Sequence, residues 1–441
     1  MTQATCPWLF PMKNDSNEQI SLSIDEAFAH IQQLAQPASA QTNGIERDVP
    51  LRLALGRVLA QEIISPINVP AHDNSAMDGY AFYSSSFSGC NDGDGVLELA
   101  VIGKALAGKA WSGVVGSNEC VQITTGAVMP DGVDTVVPSE LVTLADSKIR
   151  FSHKSLFAGD NRRLKGEDLM QGSVALKHGS VITPAALGLL ASLGIAAVHV
   201  FRRLRVAYFS TGDEILSLGE PLREGAIYDS NRYTVFGMLT KLGVDIVDLG
   251  VVADDKDALE ATFHKASSSA DVVITSGGVS VGEADHTKAM MRKLGDVEFW
   301  RIAMRPGRPM AVGTLKRADG SQAVLFGLPG NPVAVMVTFL ALVRPALLKM
   351  MGASAHEVKP LPMLQAKSAV AIRKKAGRTE YQRGIVSTTA EGGLVVQITG
   401  NQGSGVLSSM VQANGLIVLG HAQGNVEAGD IVNVMMFEGA I

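Results

Sequence analysis

Four strings rich in glycine and acid stand where apolar, β-branched runs end. Ser210-Thr-Gly-Asp-Glu214, Val252-Ala-Asp-Asp255 and Thr275-Ser-Gly-Gly-Val-Ser-Val-Gly-Glu-Ala-Asp285 each close such a run, and Gly327-Leu-Pro-Gly-Asn-Pro332 leads directly into an apolar segment. Glycines let backbone N–H groups reach phosphate oxygens, and helix N-termini add a positive dipole end. Carboxylates beside a phosphate repel it unless a cation lies between them. Glu214, Asp254 and Asp285 therefore read as ligands for Mg²⁺ held against an oxyanion. A single Asp in such a loop is more often a helix cap or turn residue, and it is the recurrence at four strand ends that favours a site. Met304-Arg-Pro-Gly-Arg-Pro309 adds Arg305 and Arg308, whose guanidiniums suit bidentate oxyanion contact.

Three further polar strings lie outside that stretch: His72-Asp-Asn-Ser-Ala-Met-Asp-Gly-Tyr-Ala81, Thr124-Thr-Gly-Ala-Val-Met-Pro130 and Gly159-Asp-Asn-Arg-Arg-Leu-Lys-Gly-Glu-Asp168. Spacing alone does not separate these from ordinary turns with side-chain-to-backbone hydrogen bonds. No G-x-x-x-x-G-K-[ST] occurs, and no G-x-G-x-x-G opens the first helix of the alternating region, so a P-loop and a dinucleotide fingerprint are both absent.

The elements that must position these residues follow from periodicity. Ser23 before Asp25-Glu26 predicts a helix start, with Ile24, Ala27, Phe28, Ile31 and Leu34 at near-helical spacing. A second apolar segment runs over 49–64. Short β-like runs divided by glycine turns fill 80–157, and helix-then-strand character returns over 174–201, so a β-rich unit reads as inserted into a discontinuous first domain. From residue 204, strand-like and helix-like runs alternate, the pattern of a doubly wound parallel sheet. Short strands follow from 353. The expected domains are 19–66 with 165–203, the inserted 67–164, the doubly wound 204–352 and a C-terminal β domain, barrel-like, at 353–441.

The length of 441 residues suits several domains, and 46% apolar residues exclude disorder for most of the chain. The charge balance of −5 argues against nucleic-acid binding. Cys6, Cys90 and Cys120 form neither a disulfide framework nor a thiolate metal site. The first twenty residues lack the pattern of a secretory signal, so a cytoplasmic protein is expected. Residues 179–201 carry no formal charge, but Thr183 before Pro184 is a helix cap and Gly194 a stop, which predicts helix, turn and strand rather than a membrane span.

Taken together, the chain resembles the MoeA family of molybdopterin molybdotransferases, relatives of the gephyrin E domain. The resemblance is carried, in order, by the string 70–81, Thr125-Gly-Ala-Val-Met-Pro130, Gly166-Glu-Asp168, the 210–214 string, Tyr228-Asp-Ser-Asn231, the string 276–285 and Leu328-Pro-Gly-Asn-Pro332. It implies insertion of molybdate into adenylylated molybdopterin with loss of AMP and help from a divalent cation. It also implies a homodimer whose site joins the inserted domain of one subunit to the doubly wound domain of the other, with MogA-type adenylyltransferase and molybdoenzyme apoproteins as partners.

Carried over by motif, Asp78, Thr125, Asp168, Glu214 and Asp285 are the catalytic candidates. Substrate contacts fall on Ser75, Thr211, Gly212, Asp213, Ser276, Gly277, Gly278, Ser280, Arg305, Arg308, Pro329, Gly330, Asn331 and Pro332, the prolines shaping their loop. The family's Met-Lys-Pro-Gly-Lys-Pro string has arginines here, which keeps charge but removes any role for a titrating lysine. Arg162 likewise stands where the family has an aliphatic residue. Two other readings share parts of the pattern: the adenylyl-transfer step itself, which uses a similar Ser-Gly-Gly loop, and a non-catalytic scaffold. The flanking domains and the full set of acidic loops favour insertion over both.

Overall fold

The computed structural model describes residues 21–36, 44–89, 95–152, 154, 156–279 and 286–437. At its centre lies a seven-stranded sheet in the order Ser21–Leu22, Gly295–Ile302, Pro309–Lys316, Gln322–Leu328, Val272–Ser276, Arg205–Thr211, Asp245–Val252. Side chains that alternate along each strand divide between two cores. Val206 and Tyr208 join Val235 and Leu239 with the 332–350 helix, while Ala207 and Phe209 pack on Leu259 and Phe263. This is helix on both faces, the doubly wound arrangement. The expectation of an all-parallel sheet needs one correction. Pro309–Lys316 is a strand that runs antiparallel to both neighbours, so the sheet is mixed. Two reversals restore direction, and Gly295–Ile302 ends on the same edge as the other parallel strands.

Local signals set the helix ends. Ser23 accepts the Glu26 N–H while the Glu26 carboxylate accepts the Ser23 N–H, a capping box opening Ile24–Leu34. Thr183 caps Pro184–Ser192, and Gly194 at φ +74° stops it before the Ala197–Phe201 strand. Residues 179–201 are thus helix and strand. The apolar 49–64 segment breaks into a strand end, the one-turn helix Leu51–Ala54, single bridges to Val181 and Val200, and the short strand Ile63–Ile64 paired with Val174–Leu176, with Leu53 and Leu55 exposed. Pro332–Met350 is long and apolar enough to cross a membrane by composition, but 83% of it is buried in the fold, as befits a core helix.

The β-rich segment forms a second sheet, ordered Thr135–Pro138, Gly79–Phe82, Glu119–Ile123, Val96–Ala105, Lys148–Ser152, Thr143–Ala145, with a core on each face. The C-terminal strands close on themselves: Thr379–Thr388 pairs with Leu394–Ile398 on one side and Gly415–Leu419 on the other, around Met363–Ser368 and Ile431–Met436. Val396, Ile417, Leu419, Val432 and Val434 fill this five-stranded barrel. Met304–Arg305 pairs with Thr379–Glu380, so the arginine string ties the barrel to the central sheet.

Candidate functional site

Open α/β sheets bind ligands beyond the carboxyl ends of their strands, and a cavity of about 590 Å³ lies there. Glu214, Gly277, Gly278, Arg305, Arg308, Pro329, Gly330 and Asn331 line it. The strings that end three different strands, and the arginine turn, thus meet in one space. Glycine is required at 277: its φ is +90°, and a Cβ there would stand 2.3 Å from the Thr211 carbonyl oxygen. The proline loop is held from behind by Asn231, whose Nδ2 donates to the Gly330 carbonyl at 2.7 Å. Asp229, buried, caps the Ser230–Leu242 helix.

The remaining predicted residues of this edge support the wall rather than line it. Asp213 Oδ1 accepts the Asp254 N–H at 3.2 Å, and Asp254 Oδ1 lies 3.5 Å from Thr287 Oγ1. Thr211 and Ser276 are buried at the strand ends, Gly212 turns the chain toward Glu214, and Pro332 opens the core helix. Ser280 and Asp285 lie outside the described residues. Among the described residues, no group of three or more His, Cys, Asp or Glu side chains could hold a metal ion. Glu214 in the lining and the Thr211 hydroxyl, buried at the strand end without a hydrogen-bond partner, offer oxygen donors, the type that suits a hard divalent cation, while Asp254 stands in the supporting wall.

Sequence reasoning missed the barrel's share. Gln402, Gly403 and Ser404 close the cavity from the C-terminal domain, and the Ser404 carbonyl accepts the Val333 N–H at 3.1 Å. Arg383 fixes this loop. Only 1% exposed, it donates from Nε to Ser409 Oγ (2.9 Å) and from its terminal nitrogen to the Gly403 carbonyl (2.9 Å). Among the described residues, no carboxylate forms an ion pair with it. Burial, then the Arg305 charge, lower its pKa to about 10, which keeps it protonated at neutral pH.

The other predicted residues form a separate cluster. Asn74–Ser75 pairs with Arg162–Arg163, Gly126 donates to the Ser75 carbonyl, and the Lys165 N–H donates to Asp73 Oδ1. Three strings that spacing could not connect therefore converge. Asp78 and Thr125 are exposed and bonded to each other, and Asp168 is exposed in the bend that follows Arg162–Arg163. Ser75 differs: it is 1% exposed and its hydroxyl donates to the Met77 carbonyl, so it shapes the turn. None of these residues lines the carboxyl-edge cavity.

Comparison with known proteins matches nearly the whole chain. Residues 22–194 fit the model of the MoeA N-terminal region (domain I and II), 207–349 that of a probable molybdopterin binding domain, and 365–437 that of the MoeA C-terminal region (domain IV). A molybdopterin molybdenumtransferase from Haemophilus influenzae is 43% identical over 418 residues, covering 94% of this chain and 98% of the relative. One from a Nostoc species is 34% identical over 388 residues, 88% of each. Two crystal structures of the molybdopterin biosynthesis MoeA protein of Pyrococcus horikoshii superpose with TM-scores of 0.69 and 0.75, at 30% and 26% identity. They cover 95% and 94% of this chain and 99% of theirs.

Proposed function

We propose that this chain, which belongs to the MoeA family of molybdopterin molybdenumtransferases of molybdenum cofactor biosynthesis, takes adenylylated molybdopterin as its substrate. The dithiolene sulfurs displace oxygen from molybdate, which leaves with the thiol protons as water, and water attacks the phosphoanhydride, so that AMP leaves and the phosphate stays on the pterin. The observation that carries this reading is the meeting of Glu214, Arg305, Arg308 and the Gly277–Gly278 turn in one cavity. Two guanidiniums and backbone donors at a glycine turn suit a doubly anionic ligand pair, an oxyanion and a phosphoanhydride.

Glu214, Asp254 and Asp285 are the residues that would hold Mg²⁺, whose contribution there would be neutralisation of phosphate charge. The chain's own groups do the rest. Arg308 and Arg305 orient the oxyanion, the glycine turns approach the phosphates with backbone N–H groups, and the barrel loop 402–404 limits water. The exposed Asp78, Thr125 and Asp168 cluster acts across a homodimer, on the cavity of the partner subunit. Its exposure, away from any role in its own subunit's cavity, supports that assignment. A MogA-type adenylyltransferase supplies the substrate, and molybdoenzyme apoproteins receive the product.

The test is AMP release from adenylylated molybdopterin by the purified protein, with and without molybdate and Mg²⁺, comparing wild type with Glu214→Ala and Asp285→Ala. Release that needs molybdate and is lost in both variants is the expected result. A protein that binds the pterin but releases no AMP under any condition would overturn the reading.

A further inference from the structure

Three buried hydroxyls meet directly behind the cavity. The Tyr208 phenol oxygen lies 2.7 Å from Ser276 Oγ and 3.0 Å from Ser210 Oγ, and the two serine oxygens are 3.3 Å apart. All three residues are 2% exposed. Ser210 and Ser276 are partners in the last shared rung of their parallel strands. Beyond it the chains leave as 211–214 and 277–278, the turns that carry Glu214 and the glycine backbone to the cavity.

Three hydroxyls hold three protons and can close a ring in which each donates once and accepts once. Tyr208 anchors that ring, because its aromatic body is fixed in the larger core beside Val206 and Ile274. Burial and the charges of Asp229 and Asp248 push its pKa upward, so it stays a donor at every working pH. The tolerance is small, since the 277 backbone already approaches the Thr211 carbonyl too closely for a Cβ.

We infer that Tyr208 is a positioning residue for the transfer reaction: through Ser210 and Ser276 it sets the separation of the 211–214 and 277–278 turns, and so the place of Glu214 relative to the glycine-turn donors. The inference rests on the carboxyl-edge cavity being the reaction site. Loss of the phenol O–H leaves the two serines at a long mutual distance and frees the turns to drift. A displacement of about 1 Å in a catalytic constellation costs on the order of a hundredfold in rate.

The experiment compares the full chain as wild type, Tyr208→Phe, Ser276→Ala and the double variant, in two arms. In the ligand-free protein, amide hydrogen exchange at 211–214 and 277–278 is expected to quicken at least tenfold in Tyr208→Phe, with the interior of the Arg205–Thr211 strand unchanged. In turnover, kcat for AMP release is expected to fall at least tenfold while KM for the pterin moves less than threefold, and the double variant to be no slower than the slower single. Unchanged exchange at the turns, a kcat within twofold of wild type, or losses that multiply in the double variant would each overturn the inference. A wild-type protein that releases no AMP would instead sink the proposed function, and the exchange arm alone would then decide whether Tyr208 positions the turns.

Discussion

One carboxylate oxygen of Asp78 accepts both the backbone N–H of Thr125, at 2.6 Å, and its hydroxyl, at 2.8 Å, across 47 residues of sequence. The pair joins two turns that share no local signal. The backbone bond first, and the hydroxyl second, hold the Asp78 carboxyl below its ordinary value.

Thr125→Val keeps the backbone bond and removes the hydroxyl. The pKa of Asp78, followed by NMR titration, is expected to rise toward the ordinary 3.8. Because the folded value is depressed, the interaction favours the fold above the unfolded pKa and is lost as pH falls through the folded one. The variant should therefore lose less stability on acidification than wild type. Asp78→Asn is expected to lower AMP release roughly a hundredfold with only a small drop in Tm, because the amide oxygen can still accept the Thr125 bonds, and full activity would remove Asp78 from the site.

Arg202 grips Asp271 with both terminal nitrogens, at 2.7 and 2.8 Å, and the Arg205 N–H adds a third bond. Burial pushes the Asp271 carboxyl up, but these bonds outweigh it and hold it low. Arg202→Met leaves a largely buried carboxylate without its cation and is expected to cost about 2–3 kcal/mol in urea unfolding at pH 7. The loss should shrink as pH falls, because Asp271 in the variant, raised by burial without its cation, takes up a proton before the wild-type carboxyl does. An equal loss at pH 3 and pH 7 would contradict this account.

Two glycines of the cavity separate folding from binding. Gly277→Ala meets a positive φ and a carbonyl at 2.3 Å, and is expected to destabilise by about 2 kcal/mol and abolish AMP release. Nothing lies within 4 Å of a Cβ at Gly330. Gly330→Ala should leave Tm unchanged and weaken substrate binding alone, because its methyl group enters the cavity. A drop in Tm at 330 equal to that at 277 would refute the distinction.

Arg308→Ala removes a charge-assisted contact of about 1.5–3 kcal/mol. The KM for molybdate is expected to rise on the order of ten- to a hundredfold, with the pterin KM little changed. Glu214→Gln should raise the Mg²⁺ concentration needed for half-maximal AMP release about tenfold. Unaltered Mg²⁺ dependence would remove Glu214 from the metal.

Much of the fold is legible in the sequence itself. The Ser23 and Thr183 caps, the Gly194 stop and the strand-ending acidic strings depend on bonds made within a few residues, so composition and spacing determine them. The alternation from 204 onward likewise reveals a two-faced sheet, because each strand must bury both of its sides. The antiparallel Pro309–Lys316 strand was not legible, since its direction depends on which neighbours accept its hydrogen bonds. Nor was Arg383: an arginine in a sequence reads as surface, and only the carbonyls of a loop some twenty residues away make its burial tolerable. The convergence of 73–78, 124–129 and 162–168, and the closing of the cavity by 402–404, belong to the same class. Local bonding decided the elements and the chemistry available at their ends, whereas tertiary packing, by choosing which distant segments meet, decided which of those groups share a site.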